Sequence, residues 1–216
     1  MSTGVLVIGN SGSGKSTSLR NLDPQKTMLI QCINKPLPFK AQGWKTRQSL
    51  KDEGNVIRTD NAELILKIMR GSPHEVVVID DYQAVMVNEL MNRSTERGYD
   101  KFSDLAKNAW SIFMAAGDLA AHRRVYILAH TQTDDFGNVR MKTVGKMVDQ
   151  TLVPEGFFTI VLRTEIMNGA YMFSTQTNGQ DCCKSPIGMF PEKLIENDLA
   201  FVDNQITEFY EIGAIA

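Results

Sequence analysis

Val5-Leu6-Val7-Ile8-Gly9-Asn10-Ser11-Gly12-Ser13-Gly14-Lys15-Ser16 is the stretch that decides the fold. Its first four residues are apolar, three of them β-branched, and the run stops at a glycine, which predicts a buried parallel strand. Residues 9–16 then match G-x-x-x-x-G-K-[ST] in full. Glycines let backbone N–H groups curl around a phosphate, and a helix that follows aims the positive end of its dipole at the same anion. Lys15 is expected to reach the β- and γ-phosphates, the Ser16 hydroxyl to hold Mg²⁺, and Thr17 to join Gly9, Asn10, Ser11, Gly12, Ser13 and Gly14 around the nucleotide. The expected cofactors are ATP and Mg²⁺.

A phosphate-binding loop of this kind needs a second acid for the metal, at the end of an apolar strand. Val76-Val77-Val78-Ile79 is the clearest buried strand in the chain and runs into Asp80-Asp81. Asp80 is the expected Mg²⁺ partner, directly or through water. Either acid also suits the cap of the helix expected over 82–92. For the attacking water, Asp81 is the candidate base, since Glu75 stands at the wrong end of its strand. The strand 125–129 ends in His130, Thr131 and Gln132, at the sheet edge where ligands of open α/β sheets bind. His130 and Gln132 are therefore candidates to sense the γ-phosphate, with a strand-terminating polar residue as the alternative for each.

Outward from these motifs, the pattern continues as strands alternating with helices. Helices are expected over 16–22, 61–69, 82–92, 103–122, 143–150 and 198–212, and strands over 27–33, 56–57, 157–163 and 170–175, the last two as a hairpin. The segments 93–102 and 131–142 read as polar loops. This predicts an α/β fold of the P-loop NTPase kind, a mainly parallel sheet covered by helices on both faces, in a single domain over residues 1–216. With 43% hydrophobic residues the chain can bury one such core. Its net charge of −2 excludes a broadly basic surface, so any nucleic-acid contact must be a local patch. Cys32, Cys182 and Cys183 form no zinc-type spacing and fit a reducing compartment. The N-terminus shows no signal peptide and no membrane span, so a cytoplasmic protein with no membrane partner is expected.

The 9–16 loop, the 76–81 strand and the Ala129-His130-Thr131-Gln132 strand end together resemble phage-encoded RecA-like ATP-binding proteins. Some of these act as single-strand annealing proteins in phage recombination. The likeness extends to Ile33-Asn34-Lys35-Pro36-Leu37-Pro38-Phe39 and Thr143-Val144-Gly145-Lys146. It implies a RecA-like sheet, a homo-oligomer (filament or ring) with nucleotide near the subunit interface, location in the host cytoplasm, and two loops facing single-stranded DNA. Those loops correspond to 93–102, with Arg93, Arg97, Tyr99, Lys101 and Phe102, and to 131–146, with Phe136, Arg140, Lys142 and Lys146. Cations beside aromatics suit single-strand binding. Asp134-Asp135 opposes it in the second loop, and ordinary solvated loops are the alternative. The resemblance also implies a cation donated by a neighbouring subunit, for which Lys142, Lys146 and Arg163 all remain open.

One departure bears on turnover. RecA carries a catalytic glutamate at the end of its second core strand, where this chain reads Gln31-Cys32-Ile33-Asn34. Slow hydrolysis is expected unless Asp81 takes over. The expected function is ATP-linked single-strand binding and annealing in recombination. The alternatives are a helicase-like motor or helicase loader, and a nucleotide-dependent protein switch without DNA contact. A nucleotide kinase is disfavoured, because Arg123-Arg124 precede a strand at the sheet edge opposite the loop, where no lid could use them.

Overall fold

The computed structural model describes residues 1–49 and 51–213, with Lys146 and Met147 described along the backbone alone. The apolar runs become the centre of one ten-stranded sheet. β1 (Thr3–Gly9) lies between β6 (Arg124–Thr133) and β8 (Ile160–Met167), parallel to both. Beyond β6 come β5 (Val76–Asp80), β2 (Thr27–Gln31), β4 (Val56–Arg58) and the two-residue β3 (Thr46–Arg47), all parallel. On the other flank, β9 (Ala170–Ser174) pairs antiparallel with β8, and β10 (Leu194–Glu196) antiparallel with β9. The α/β class is therefore observed, with a mainly parallel sheet.

Both faces of the sheet are covered, which is why its central strands are continuous apolar runs rather than alternating ones. Leu6, Ile8, Val77, Ile79, Val125 and Ile127 cluster with α1 (Ala62–Gly71), α2 (Gln83–Asn92), α3 (Asp100–Gly117) and α4 (Lys146–Thr151). Val5, Val7, Val76, Val78, Tyr126 and Leu128 cluster with Leu19 and with α5 (Leu199–Phe209). Helix starts follow local chemistry: the Asn61 side chain accepts from Leu64 N at 2.9 Å, and Asp198 caps α5 through Ala200 N.

Several boundaries differ from expectation. The helix expected over 16–22 is a 3₁₀ turn, Ser16–Asn21. So short a turn contributes little dipole, and an anion there would depend instead on Lys15 and the loop amides. The strand expected to 33 ends at Gln31, ahead of the two prolines at 36 and 38. The 93–102 loop is shorter than expected, because α3 begins at Asp100 and takes Lys101 and Phe102 into its first turn. That helix stops at Gly117, not at 122. Most consequentially, 131–142 is no loop. β6 runs on to Thr133 and pairs antiparallel with β7 (Val139–Met141), in the register Thr131↔Met141 and Gln132↔Arg140. The tip is closed by Asp134, whose carboxylate accepts from the backbone N–H groups of Phe136 and Asn138. Its residues are mostly polar, so no apolar alternation announces it.

Candidate nucleotide-binding site

The parallel strands point their C-terminal ends to one edge, and the register decides what meets there. Gly9 stands opposite His130, Ile8 opposite Arg163, and Gln31 opposite Asp80. The loop after Gly9 crosses this edge. Gly12 and Gly14 take φ of +78° and +99°, which favours glycine. Gly9 has a different reason to lack a side chain: a Cβ there would lie 1.8 Å from Thr164 Oγ1 of β8.

Ser16 and Asp80 are brought into contact, as their spacing along the chain could not show. The Ser16 hydroxyl reaches Asp80 Oδ1 at 3.0 Å and Oδ2 at 2.9 Å. Asp80 is 1% exposed, and burial, followed by the charge of Asp81, raises its pKa above the usual carboxylate value. A hydroxyl and a carboxylate side by side are hard oxygen donors of the kind Mg²⁺ takes, with its remaining positions left for phosphate and water. Among the described residues no cluster of three or more His, Cys, Asp or Glu could hold a metal alone, so this pair needs such outside ligands.

Lys15 folds back on its own loop, donating from Nζ to Gly9 O and Asn10 O, each at 2.8 Å. Burial, only partly offset by Asp81 and Asp80, lowers its pKa to about 8. An arriving anion would supply the charge that burial withholds. Lys15 Nζ also lies 3.4 Å from His130 Nδ1, while His130 Nε2 lies 3.4 Å from Asp81 Oδ1. The other Asp81 oxygen is ion-paired with Lys35, from the loop that follows β2. Burial works against ionisation of Asp81, yet the hydrogen bonds from His130 and Lys35 bring its pKa down to about 2. Asp81 also holds φ = +60°, a left-handed turn that ends β5 and swings the carboxylate toward the loop.

These groups line a cavity of 520 Å³ together with Ser11, Thr17, Ile33, Pro36, Pro38 and Tyr171, a volume suited to a nucleotide-sized ligand. A larger cavity of 810 Å³ lies at the opposite end of the sheet, around Thr3, Gly4 and Gly117. It contains none of the loop residues and has no part in this site.

The remaining expected residues are distributed as follows. Gln132 donates to Asp149 of α4 at 3.1 Å and is turned away from the loop; it is Thr131 that meets the loop, through Asn10 Oδ1 at 2.7 Å. Arg93 is held by three carboxylates, those of Glu89, Glu96 and Asp104. Lys101 caps the backbone carbonyls of Arg93 and Glu96 and sits 5.3 Å from the centroid of the Phe102 ring. Arg97 and Tyr99 are exposed. In the second segment Phe136 is 87% exposed at the hairpin tip, Arg140 pairs at 3.4 Å with Asp149, and Lys142 is exposed beside His130. The Lys146 side chain lies outside the described residues. Arg163 pairs with Asp181 at 3.0 Å and Glu165 at 3.7 Å. The two segments adjoin: a Cβ at Gly145 would lie 3.9 Å from Leu105 and 4.0 Å from Phe102. Arg123 and Arg124 are buried at the far edge, bonded to Ser72 O and Met69 O and to Asp203, respectively.

Sequence reading missed Lys35, Gln83 and Tyr171. Lys35 carried a weak signal, a cation between two structure-breaking residues after a strand; the other two carried none, because partners far along the chain define their roles.

No protein-family model matches the chain, and no curated protein matches it. Among solved structures it is similar to the genome packaging NTPase B204 from Sulfolobus turreted icosahedral virus 2 in complex with ATP-gammaS. The identity is 10%, the TM-score 0.41, and the match covers 100% of this chain and 88% of that one. At such identity and TM-score, any functional reading has to come from this chain's own residues.

Proposed function

We infer that the chain binds ATP with Mg²⁺, hydrolyses it slowly, and uses the bound nucleotide to set a state that engages single-stranded DNA, in the manner of the phage recombination proteins it resembles. One observation carries the nucleotide part: Lys15 and Ser16 line one cavity behind a loop whose glycines leave room for a phosphate, and Asp80, far along the chain, is folded against the Ser16 hydroxyl. Ser16 and Asp80 would hold Mg²⁺, which supplies neutralisation of phosphate charge when bound. Lys15 would bind the β- and γ-phosphates, and His130 would sense the last of them.

Slow turnover follows from the state of the candidate base. Asp81 is gripped by both Lys35 and His130, and no acid stands at the end of β2 to replace it. The DNA part is supported by the β6–β7 hairpin, which leaves the cavity at His130 on β6 and carries Phe136 at its tip, Arg140 on β7 and Lys142 just beyond it, and by the neighbouring 93–102 segment. A homo-oligomer with Lys142 reaching a neighbour's nucleotide belongs to the same reading. A second reading, a nucleotide-dependent switch or loader acting on a protein, is favoured by the ion pairs that occupy Arg93 and the backbone carbonyls that occupy Lys101.

Fluorescence anisotropy of a labelled single-stranded oligonucleotide separates the two, with and without ATP·Mg²⁺ and over a salt series. Binding that strengthens with ATP, weakens steeply with salt and uncouples from nucleotide in Lys15→Ala is the expected result. Nucleotide binding without any oligonucleotide binding would leave the switch.

A further inference from the structure

Among the described residues, Lys35 is the lysine of the cavity that the loop motif does not account for. Its position is built rather than incidental. Cys32 N donates to Asp80 O at 3.0 Å, Lys35 N to Ile33 O at 3.0 Å, and the Gln31 side chain to Lys35 O at 3.2 Å. Pro36 and Pro38 then restrict the backbone beyond it. The anchored loop holds the ammonium across the cavity from Lys15, against an Asp81 carboxylate that is 6% exposed, while Lys35 itself stays 40% exposed. Burying the whole ammonium beside the acid would cost more desolvation. Lys35 keeps donors open to the cavity.

The charges on the two sides of the cavity are unequal in what they could do for a ligand. A diphosphate seated on the loop is served by Lys15 and the backbone amides. A third phosphate would extend toward His130 and Asp81, whose carboxylate would repel it unless a cation stood between them. Lys35 is already in contact with that carboxylate and has three donors to share.

We propose that Lys35 is a triphosphate-selecting residue, bridging Asp81 and the terminal phosphate of a bound nucleoside triphosphate from within the same chain. The proposal rests on the nucleotide reading above, and it names the group that lets the site tell a triphosphate from a diphosphate. The chemistry recognised is a terminal phosphoryl group with its full charge, whichever base the nucleotide carries.

Calorimetric titration with ADP and with ATP-gammaS, both with Mg²⁺, tests it on wild type, Lys35→Met, Lys35→Arg, Asp81→Asn and the Asp81→Asn/Lys35→Met double variant. Lys35→Met should weaken ATP-gammaS binding by about 10- to 100-fold while moving ADP by less than about 3-fold, a size expected of one charge-assisted hydrogen bond. Lys35→Arg should recover most of the loss. The decisive comparison is the double variant against Asp81→Asn. A phosphate contact predicts that removing Lys35 still costs about tenfold or more of triphosphate selectivity when Asp81 carries no charge. No loss in that background would reduce Lys35 to a counter-ion and overturn the proposal, as would equal losses for ADP and ATP-gammaS. The double variant leaves no unpaired buried carboxylate, so it decides the matter even where Lys35→Met alone does not fold. Wild type binding neither nucleotide would instead overturn the nucleotide reading itself.

Discussion

Asp81 carries two burdens in one residue, a left-handed backbone and a nearly buried carboxylate. Aspartate and asparagine tolerate φ = +60° because their short polar side chains bond locally, whereas a β-branched residue there is strained. Its ionisation is maintained by Lys35 and His130 together, against burial. Two substitutions separate these effects. Asp81→Asn removes the charge and keeps a residue suited to the turn; Asp81→Val removes both. Urea denaturation should find the valine variant less stable than the asparagine variant by a further ~1–2 kcal/mol, the cost of the backbone conformation alone. Equal stabilities would mean that the turn relaxes without cost. The neighbouring Asp80 has no such strain and accepts the Ser16 hydroxyl, the pair proposed to hold Mg²⁺.

At the level of elements, a side chain of α2 bonds to both strands of the β6–β7 hairpin. Gln83, the first residue of α2, accepts from His130 N at 2.7 Å and donates to Lys142 O at 2.8 Å, so it spans both hairpin strands at their base. It is 7% exposed and stands one residue beyond the Asp80-Asp81 turn, after Tyr82. The end of β5, the strand bearing His130 and the hairpin tip bearing Phe136 are thus mechanically continuous. Gln83→Ala leaves a donor and an acceptor unpaired and should cost about 1–3 kcal/mol. Hydrogen exchange should quicken at the His130 amide and in residues 139–142, while the central strands β1 and β5 stay protected. Uniform acceleration would place the effect in global stability rather than in the hairpin. The expectation of a loop over 131–142 was wrong for a reason visible in this contact: polar residues form a strand here because a neighbour and a helix start supply the hydrogen bonds.

For the molecule as a whole, closure of the second face depends on α5. Asp203 of that helix receives Arg124 through two bonds, at 2.9 and 2.7 Å, and the Tyr126 hydroxyl at 2.6 Å. Arg124 and Tyr126 are buried on β6, and Glu75 adds a longer contact to Arg124 at 3.5 Å. This network ties the C-terminal helix to the centre of the sheet, at the end away from the nucleotide cavity. Asp203→Ala strands a buried guanidinium and a buried hydroxyl, and should lower stability by about 3–5 kcal/mol. The loss is expected in thermal melts, with nucleotide affinity at low temperature little changed. A large drop in affinity in the folded variant would show that the two ends of the sheet communicate. No helix among the described residues is long and apolar enough to cross a membrane.

What the sequence determined by itself was local. The 9–16 motif, the apolar runs of β1, β5 and β6, the acid at the end of β5 and the alternation that implies a covered parallel sheet are all written in contiguous residues, because backbone freedom and periodic burial act over short spans. Only the tertiary structure decided which strand ends became neighbours. The order β8-β1-β6-β5-β2 puts His130 beside the phosphate loop, brings Ser16 to Asp80, and closes Lys35 onto Asp81. The turn between α2 and α3 likewise commits Arg93 to three acids, where the composition of a polar loop had made it look free. Side-chain charge is a property of a residue, but its availability depends on partners that only folding brings within a few ångströms.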